Sequence, residues 1–338
     1  MKILIAASNM VHINNFHRPY IDFFKEKGHD VYVMAKGEGA DFDLPFQKKT
    51  LSFSNLKLSY KIRDILKKEE FDVIYLHTSL AAFWVRMALR GVKKKPYVIN
   101  TVHGYLFGNT SGKLHNMIYL FCERFLRKQT DDIVVMNKED YDIATRKKLC
   151  KGQVYLTNGM GVSFKKADVE PIKLSGDSLS LLYVGEISKR KNQIFLVKAM
   201  KCLENCTLTL VGDGDGRGGI ESFVKKNNLE DRVFITGFTK QAYEYIKGCD
   251  VYVSASTIEG LPFNIMEAMY LGKPIVASDV KGQNDLLPRE CLYALNNEDD
   301  YVSHIKRTSL GDVTYDMERY SLNNALTENM EIYLKPLR

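Results

Sequence analysis

Short apolar runs recur along the chain, each followed by a polar turn and then a stretch with helical spacing of its apolar positions. The runs at 2–7, 30–35, 73–76, 97–102, 133–136 and 154–156 predict one series of strands. Those at 180–184, 207–211, 233–236, 251–254 and 274–277 predict a second. The runs are apolar throughout rather than alternating, as in strands covered on both faces. Helical spacing predicts helices from Pro19 to about residue 27, where Gly28 caps, and at 59–68, 80–89, 113–128 and 137–149. It predicts others at 192–203, 220–227, 241–247 and 264–271. Strand alternating with helix means parallel sheets with helices on both sides, an α/β class built of doubly wound, Rossmann-like domains.

The alternation breaks once. Residues 166–178 are polar, contain Pro171 and lack an apolar period, so they read as a linker between domains at 1–165 and 179–314. The tail, 315–338, has helical character and no partner strand, and is expected to pack back on the first domain. Ligands of doubly wound sheets sit at the carboxyl ends of the strands. The residues to watch are therefore 8–17, His77 and Thr78, His103 and Gly104, Asn137, Asn158 and Gly159, 185–191, 212–215 and 256–264, lining a cleft between two facing domains.

Composition changes this picture little. A chain of 338 residues, 45% hydrophobic and 26% charged, suits two soluble-type cores. No run of 18 apolar residues predicts a membrane-spanning helix, and the opening MKILIAASN reads as a first strand rather than a signal peptide. The six cysteines form no CxxC pair, which fits reduced thiols better than a disulfide framework. Charge says more. The net +7 divides into +11 over residues 1–165 and −4 over the rest, so the first half is expected to meet something anionic: nucleic acid, a membrane face or a diphosphate-bearing lipid.

The densest chemistry lies in SASTIEGLPFNIMEAMYLGKPIVASDVKGQNDLL, residues 254–287. A strand end passes through the turn Glu259–Gly260–Leu261–Pro262 into a helix carrying Asn264 and Glu267. A loop entering a helix offers unpaired N–H groups and the positive end of a dipole, a seat for phosphate. Two carboxylates beside it can hold hydroxyls, so the stretch reads as a nucleotide-sugar pocket. Gly185 opens a second turn that brings Lys189, Arg190 and Lys191 to a helix start, where cations oppose the dipole unless an anion sits there. Gly212, Gly214 and the Asp213–x–Asp215 pair form a third turn, read as backbone near the nucleotide rather than as a metal site. His12 and His17 share the loop after the first strand, and His77 and His103 end later strands. Helix 113–128 sets Leu114, Met117, Ile118, Phe121, Cys122 and Phe125 on one face with Arg124, Arg127 and Lys128 at its end. It reads first as core-facing with a solvated basic end, and otherwise as an interfacial helix on anionic lipid. The first strand lacks GxGxxG and no GxxxxGK[ST] occurs, which argues against an NAD domain or a P-loop NTPase. The cations are scattered without interleaved aromatics, so no nucleic acid is expected.

These residues resemble the retaining glycosyltransferases of GT-B architecture, family 4 type, and among them bacterial exopolysaccharide and capsule enzymes. The resemblance rests on EGLPFNIME, AMYLGKPIVASDVKGQNDLL, VGEISKRKN, LVGDG, ITGF, NTVHGYLF, VMNKEDY and NGMGV, which follow in order over nearly the whole chain. It implies that Glu267 holds the ribose, Glu259 contacts the donor sugar, and the backbone of Leu261, Pro262, Phe263 and Asn264 holds sugar and phosphate. Gly185, Gly212, Gly214 and Gly260 complete the donor site. Lys191, with Arg190, neutralises the departing diphosphate, and His103 lies by the transferred sugar. His12, Asn15, His17 and His77 fall on the acceptor side. No cofactor or divalent metal is implied. The family's Arg after the glycine of the VG turn is Glu186 here, its Gly-Gly in the first loop is absent, and no glycine-rich turn follows Leu287. The expected activity is transfer of a sugar from a UDP-sugar to a lipid-linked saccharide, with the protein peripheral on the cytoplasmic face of an anionic membrane. Two readings compete: a nucleotide-sugar 2-epimerase of the same architecture, and a non-catalytic nucleotide-sugar binder.

Overall fold

The computed structural model describes residues 1–47, 53–163, 168–174, 176, 178–309, 311 and 313–337. Their contacts divide the chain into two compact units, Met1–Gly161 with Arg319–Arg338, and Val162–Glu318.

The first unit runs β1 (Lys2–Ala6), α1 (Met10–Phe16), α2 (Arg18–Glu26), β2 (Asp30–Ala35), β3 (Phe42–Asp43), α3 (Phe53–Glu69), β4 (Val73–His77), α4 (Ser79–Leu89), β5 (Tyr97–Val102), α5 (Lys113–Leu126), β6 (Asp132–Val135), α6 (Lys138–Lys147) and β7 (Val154–Leu156). Its sheet has the order β3-β2-β1-β4-β5-β6-β7, with parallel pairing throughout. Ile3, Leu4, Ile5 and Ala6 are all fully buried or nearly so, as an unbroken apolar run requires when helices cover both faces. On one side Ile62, Trp84 and Val85 of α3 and α4 pack on Leu4, Ile74 and Leu76.

The segment after β1 is not the loop expected. Asn9 accepts the His12 N–H at 2.8 Å as an N-cap, and Met10 and Ile13 bury one side of the short helix α1. His12 thus stands on a helix, and His17 at the junction of α1 with α2, whose first turn tolerates Pro19.

The second unit runs β8 (Leu179–Val184), α7 (Gln193–Ala199), β9 (Cys206–Val211), α8 (Arg217–Lys226), β10 (Val233–Gly237), α9 (Ala242–Gly248), β11 (Val251–Ser254), α10 (Phe263–Tyr270), β12 (Ile275–Ser278), α11 (Gln283–Leu286), β13 (Leu292–Tyr293) and α12 (Glu298–Arg307). The strand order is β10-β9-β8-β11-β12-β13, again parallel. Sequence spacing had not separated α11, β13 and α12. Of the polar linker segment, residues 166, 167, 175 and 177 lie outside the described residues. Its described part lies along α9: Ile172 N–H donates to Glu244 O at 3.0 Å and Lys247 Nζ to Val169 O at 2.8 Å.

The chain then returns to the first unit as α13 (Leu322–Tyr333), capped by Ser321. Tyr333 Oη lies 2.7 Å from Thr101 Oγ1 and its carbonyl accepts from Tyr75 Oη at 2.6 Å. Fully buried Asn329 donates to Gly159 O at 2.7 Å and Tyr20 Oη at 3.1 Å.

Candidate functional site

In an open parallel sheet the ligand crevice opens where strand order reverses. In the second unit that point lies between β8 and β11. The loop after β8 carries Gly185 to Asn192, and the loop after β11 carries Glu259 to Pro262. They are tied together by charge. Lys191 Nζ lies 2.5 Å from Glu259 Oε1, and Arg190 Nη1 lies 2.8 Å from Oε2. Arg190 also donates to Ile258 O at 3.2 Å, while Thr257 N–H donates back to Arg190 O at 2.9 Å. Glu259 is only 7% exposed. Burial alone would push its carboxyl up; the cations of Lys191 and Arg190 overcome that and hold it below the usual carboxylate range. The carboxylate is therefore charged and doubly paired.

Two side chains that sequence reasoning passed over hold this arrangement. Buried Gln193 spans the first turn, donating to Glu186 O at 2.7 Å and accepting from Ser188 N–H at 3.2 Å. Gln283 donates to Ser254 Oγ at 2.6 Å and lies against Ser278, which itself donates to Ser256 O at 2.6 Å. Neither glutamine carries a local signal: a polar residue at a helix start is ordinary, and only the fold buries it.

Gly185 and Gly212 lie back to back. Gly185 N–H donates to Val211 O at 2.9 Å, and Ile187 N–H to Asp213 O at 2.9 Å. A Cβ on Gly212 would fall 1.9 Å from Gly185 O, so no side chain fits there. Gly214 N–H donates to Asp213 Oδ1 at 2.8 Å, so that carboxylate is spent on its own turn, and Asp215 is exposed. At Gly282 a Cβ would fall 2.5 Å from Gly260 O, which presses the buried Lys281–Gly282 backbone against the Glu259–Gly260 turn.

Leu261 and Pro262 are buried, and Phe263 and Asn264 open α10. Asn264 Nδ2 donates to Val184 O at 2.9 Å, fixing the start of α10 to the end of β8. Glu267 is half-buried on α10, and its charge acts on the Tyr243 and Tyr252 hydroxyls. Burial first and the Glu267 charge second push the Tyr243 hydroxyl up to about 12.

The first unit has its reversal between β1 and β4. Ser8 N–H donates to Thr78 Oγ1 at 3.0 Å across it, and Thr78 holds a positive φ of 66° unusual for a β-branched residue. Here four histidines converge. His77 Nδ1 lies 3.2 Å from His103 Nε2, the His17 and His77 rings are 3.7 Å apart between centroids, and the His12 and His103 rings 4.7 Å. Burial depresses all four below the usual histidine value, His12 to about 4, so the rings are neutral. Asn15 is exposed on α1 and does not join them.

The apolar face of α5 does not enter the core. Leu114, Met117, Phe121 and Phe125 are 66, 61, 67 and 43% exposed, and Ile118 is exposed beside them. The inward face carries Tyr119, Leu120 and fully buried Leu126 instead, together with Glu123, whose carboxylate receives both Nη atoms of fully buried Arg86 at 2.8 Å. At the end of α5 a groove of about 700 Å³ is lined by Arg90, Arg124, Arg127, Lys128, Phe121 and Phe125. Among the described residues no helix is long and apolar enough to cross a membrane.

The two units correspond to two known domain types. Residues 2–137 match the family described as "Glycosyl transferase 4-like", and residues 164–310 match "Glycosyl transferases group 1". The chain belongs to the glycosyltransferases. EpsD of Bacillus subtilis, provisionally named a glycosyltransferase, is 27% identical over 307 residues, covering 85% of this chain and 81% of its own. The UDP-Gal:alpha-D-GlcNAc-diphosphoundecaprenol alpha-1,3-galactosyltransferase of Escherichia coli is 27% identical over 280 residues, covering 75% of this chain and 70% of its own. The sucrose-phosphate synthase of Thermosynechococcus elongatus superposes with a TM-score of 0.77 at 19% identity, over 100% of this chain and 99% of that one. The glycosyltransferase therefore has the two parallel-sheet α/β domains of the GT-B fold, and its relatives include a protein of the cps region of Klebsiella pneumoniae.

Proposed function

We propose that this glycosyltransferase transfers a hexosyl or N-acetylhexosaminyl group, with retention, from a UDP-sugar to a lipid-linked saccharide at the cytoplasmic face of a membrane. The observation that carries the reading is the pairing of Glu259 with Lys191 and Arg190 at the reversal point of the second unit. In the unliganded protein the buried carboxylate compensates both cations. An incoming diphosphate offers them more negative charge at the same place. Lys191 and Arg190 then move onto the leaving group, and Glu259 is released to accept hydrogen bonds from sugar hydroxyls. The chief catalytic work is stabilising the charge that develops on the departing diphosphate, which the two cations supply without a divalent ion. Arg190 fills the place of the cation that Glu186 does not provide. Glu267 holds the ribose, and the first amides of α10 face phosphate.

The Escherichia coli relative supports the donor and acceptor classes, since its name gives UDP-Gal as donor and a sugar diphosphoundecaprenol as acceptor. The end of the first sheet that carries His12, Asn15, His17 and His77 would lie on the acceptor side. The exposed apolar stripe of α5 and the cationic groove at its end suit an anionic bilayer surface.

The test is to incubate purified protein with UDP-Gal, UDP-Glc, UDP-GlcNAc, UDP-GalNAc and GDP-Man, with and without GlcNAc-diphosphoundecaprenol, in the presence of EDTA. Release of UDP that depends on acceptor, with an α-linked product by NMR, is expected. A β-linked product would overturn retention. Conversion of UDP-GlcNAc to its 2-epimer without acceptor, or no turnover of any donor, would overturn transfer.

A further inference from the structure

The histidine cluster of the first unit contains a ring that nothing in the protein satisfies. His17 is fully buried, and neither Nδ1 nor Nε2 has a hydrogen-bond partner among the described residues. His12 Nε2 is likewise buried without one. A neutral imidazole always carries one N–H and one lone pair, and buried polar atoms without partners call for an ion or water. The neighbouring rings do not answer the need. His17 meets His77 with their rings tilted by 32°, which is contact between faces and not a bond between nitrogens. His77 and His103 are occupied with each other through Nδ1 and Nε2.

One ring nitrogen each from His12, His17 and His103 lie within 4.8 Å of one another. A proton joins only two nitrogens, whereas a metal ion accepts lone pairs from three at once. An anion fits poorly, because neutral rings offer it one N–H each and no charge. We propose that His12, His17 and His103 form a binding site for a divalent transition-metal ion of borderline softness, such as Zn²⁺, with a fourth position open to water or another oxygen ligand. Bonds of about 2.0–2.1 Å set tetrahedral nitrogens about 3.4 Å apart, so closing the widest pair needs side-chain movement on the order of 1 Å. His12, half-buried on a seven-residue helix, is the least constrained of the three. His77 is a positioning residue. Its Nδ1 can accept the Nε2–H of His103, which fixes the tautomer of that ligand, as outer-shell partners of metal-bound histidines do.

The test reads metal rather than turnover. Chelator-stripped full-length protein is dialysed against Zn²⁺ and, separately, Co²⁺. One ion per chain is expected at micromolar free metal, with the Co²⁺ form showing the visible absorption of tetrahedral nitrogen ligation. His12→Gln and His17→Gln should each weaken binding at least tenfold and abolish that spectrum. His304→Gln should leave both unchanged, since His304 lies in the second unit beside Asp300. Should His17→Gln fail to fold, His12→Gln at its half-exposed position decides alone. No retained ion, or an ion retained equally by wild type and His12→Gln, would overturn the proposal while leaving sugar transfer to be judged by its own assay.

Discussion

Lys191 and Glu259 stand 68 positions apart in sequence and 2.5 Å apart in space, with the lysine 12% and the glutamate 7% exposed. A pair this sheltered is costly to break from one side, because the survivor keeps its charge where water cannot reach it. Glu259→Gln is expected to destabilise the protein by about 2 kcal/mol, and Lys191→Met by a similar amount. The double variant should lose less than the sum, giving a coupling of about 1–2 kcal/mol in a urea-unfolding cycle. Either single variant should lower turnover at least about a hundredfold, since each removes charge at the leaving group or sugar. Additive losses would mean that the pair is not coupled, and undiminished turnover in Glu259→Gln would remove this carboxylate from the site.

The same pair sets an acid limit. Glu259 titrates below the ordinary 4.5 because Lys191 and Arg190 outweigh the opposing effect of burial. Between the folded and ordinary values the unfolded chain binds a proton that the folded one does not. The stability contributed by this group is therefore complete above about pH 4.5 and is lost as pH falls through the folded value. While the protonation difference lasts, it adds a slope of about 1.4 kcal/mol per pH unit. Urea midpoints measured from about pH 6 down to about pH 3 should fall more steeply for wild type than for Glu259→Gln. Parallel curves would contradict the depressed value.

Backbone fit gives a sharper contrast. Gly212→Ala puts a methyl 1.9 Å from Gly185 O at a φ of 144°, where the obstacle is backbone and cannot rotate away. A loss above about 3 kcal/mol is expected, with weakened UDP binding because both glycine turns must shift. Gly218→Ala, in α8 with open space around it, should be neutral or stabilising by about 0.5–1 kcal/mol. Thermal melts of the two variants, alongside UDP titration, separate these outcomes.

The architecture was legible because short unbroken apolar runs and the helical spacing between them decide strand and helix without tertiary help. The runs at 30–35 and 97–102 coincide with β2 and β5. Two-residue strands such as β3 and β13 have no period to read. The start of α12 did carry a signal, Asn297 before three acids, with the Asn297 side chain accepting Asp300 N–H at 3.0 Å. The segment after β1 has the sequence of a loop because its polar residues mask a helix held by one cap and two buried side chains, Met10 and Ile13. Glu259, Lys191 and Arg190 were visible as single candidates, but their mutual pairing depends on the reversal of strand order, which local pattern does not encode. The burial of Gln193, Gln283 and His17 is likewise a product of packing, and the inward face of α5 is not the apolar stripe but Tyr119, Leu120 and Leu126 with the Arg86–Glu123 ion pair.

That outward stripe is open to direct measurement. Phe121 is 67% exposed, so Phe121→Ser should change stability by no more than about 0.5 kcal/mol. If α5 beds into a bilayer, the same substitution removes about 1.5–3 kcal/mol of burial, weakening vesicle binding by at least about tenfold. The exposed cations add an electrostatic part of about 1 kcal/mol each near an anionic surface, so Arg124→Gln with Arg127→Gln should weaken binding about thirtyfold at low salt. Raising the salt should erase this second effect and leave the first, because screening acts on charge and not on apolar burial. Sedimentation with phosphatidylglycerol and with phosphatidylcholine vesicles distinguishes the two contributions. Equal binding to both lipids would eliminate the electrostatic part. Binding to neither by wild type would mean that the face of α5 is not a membrane surface.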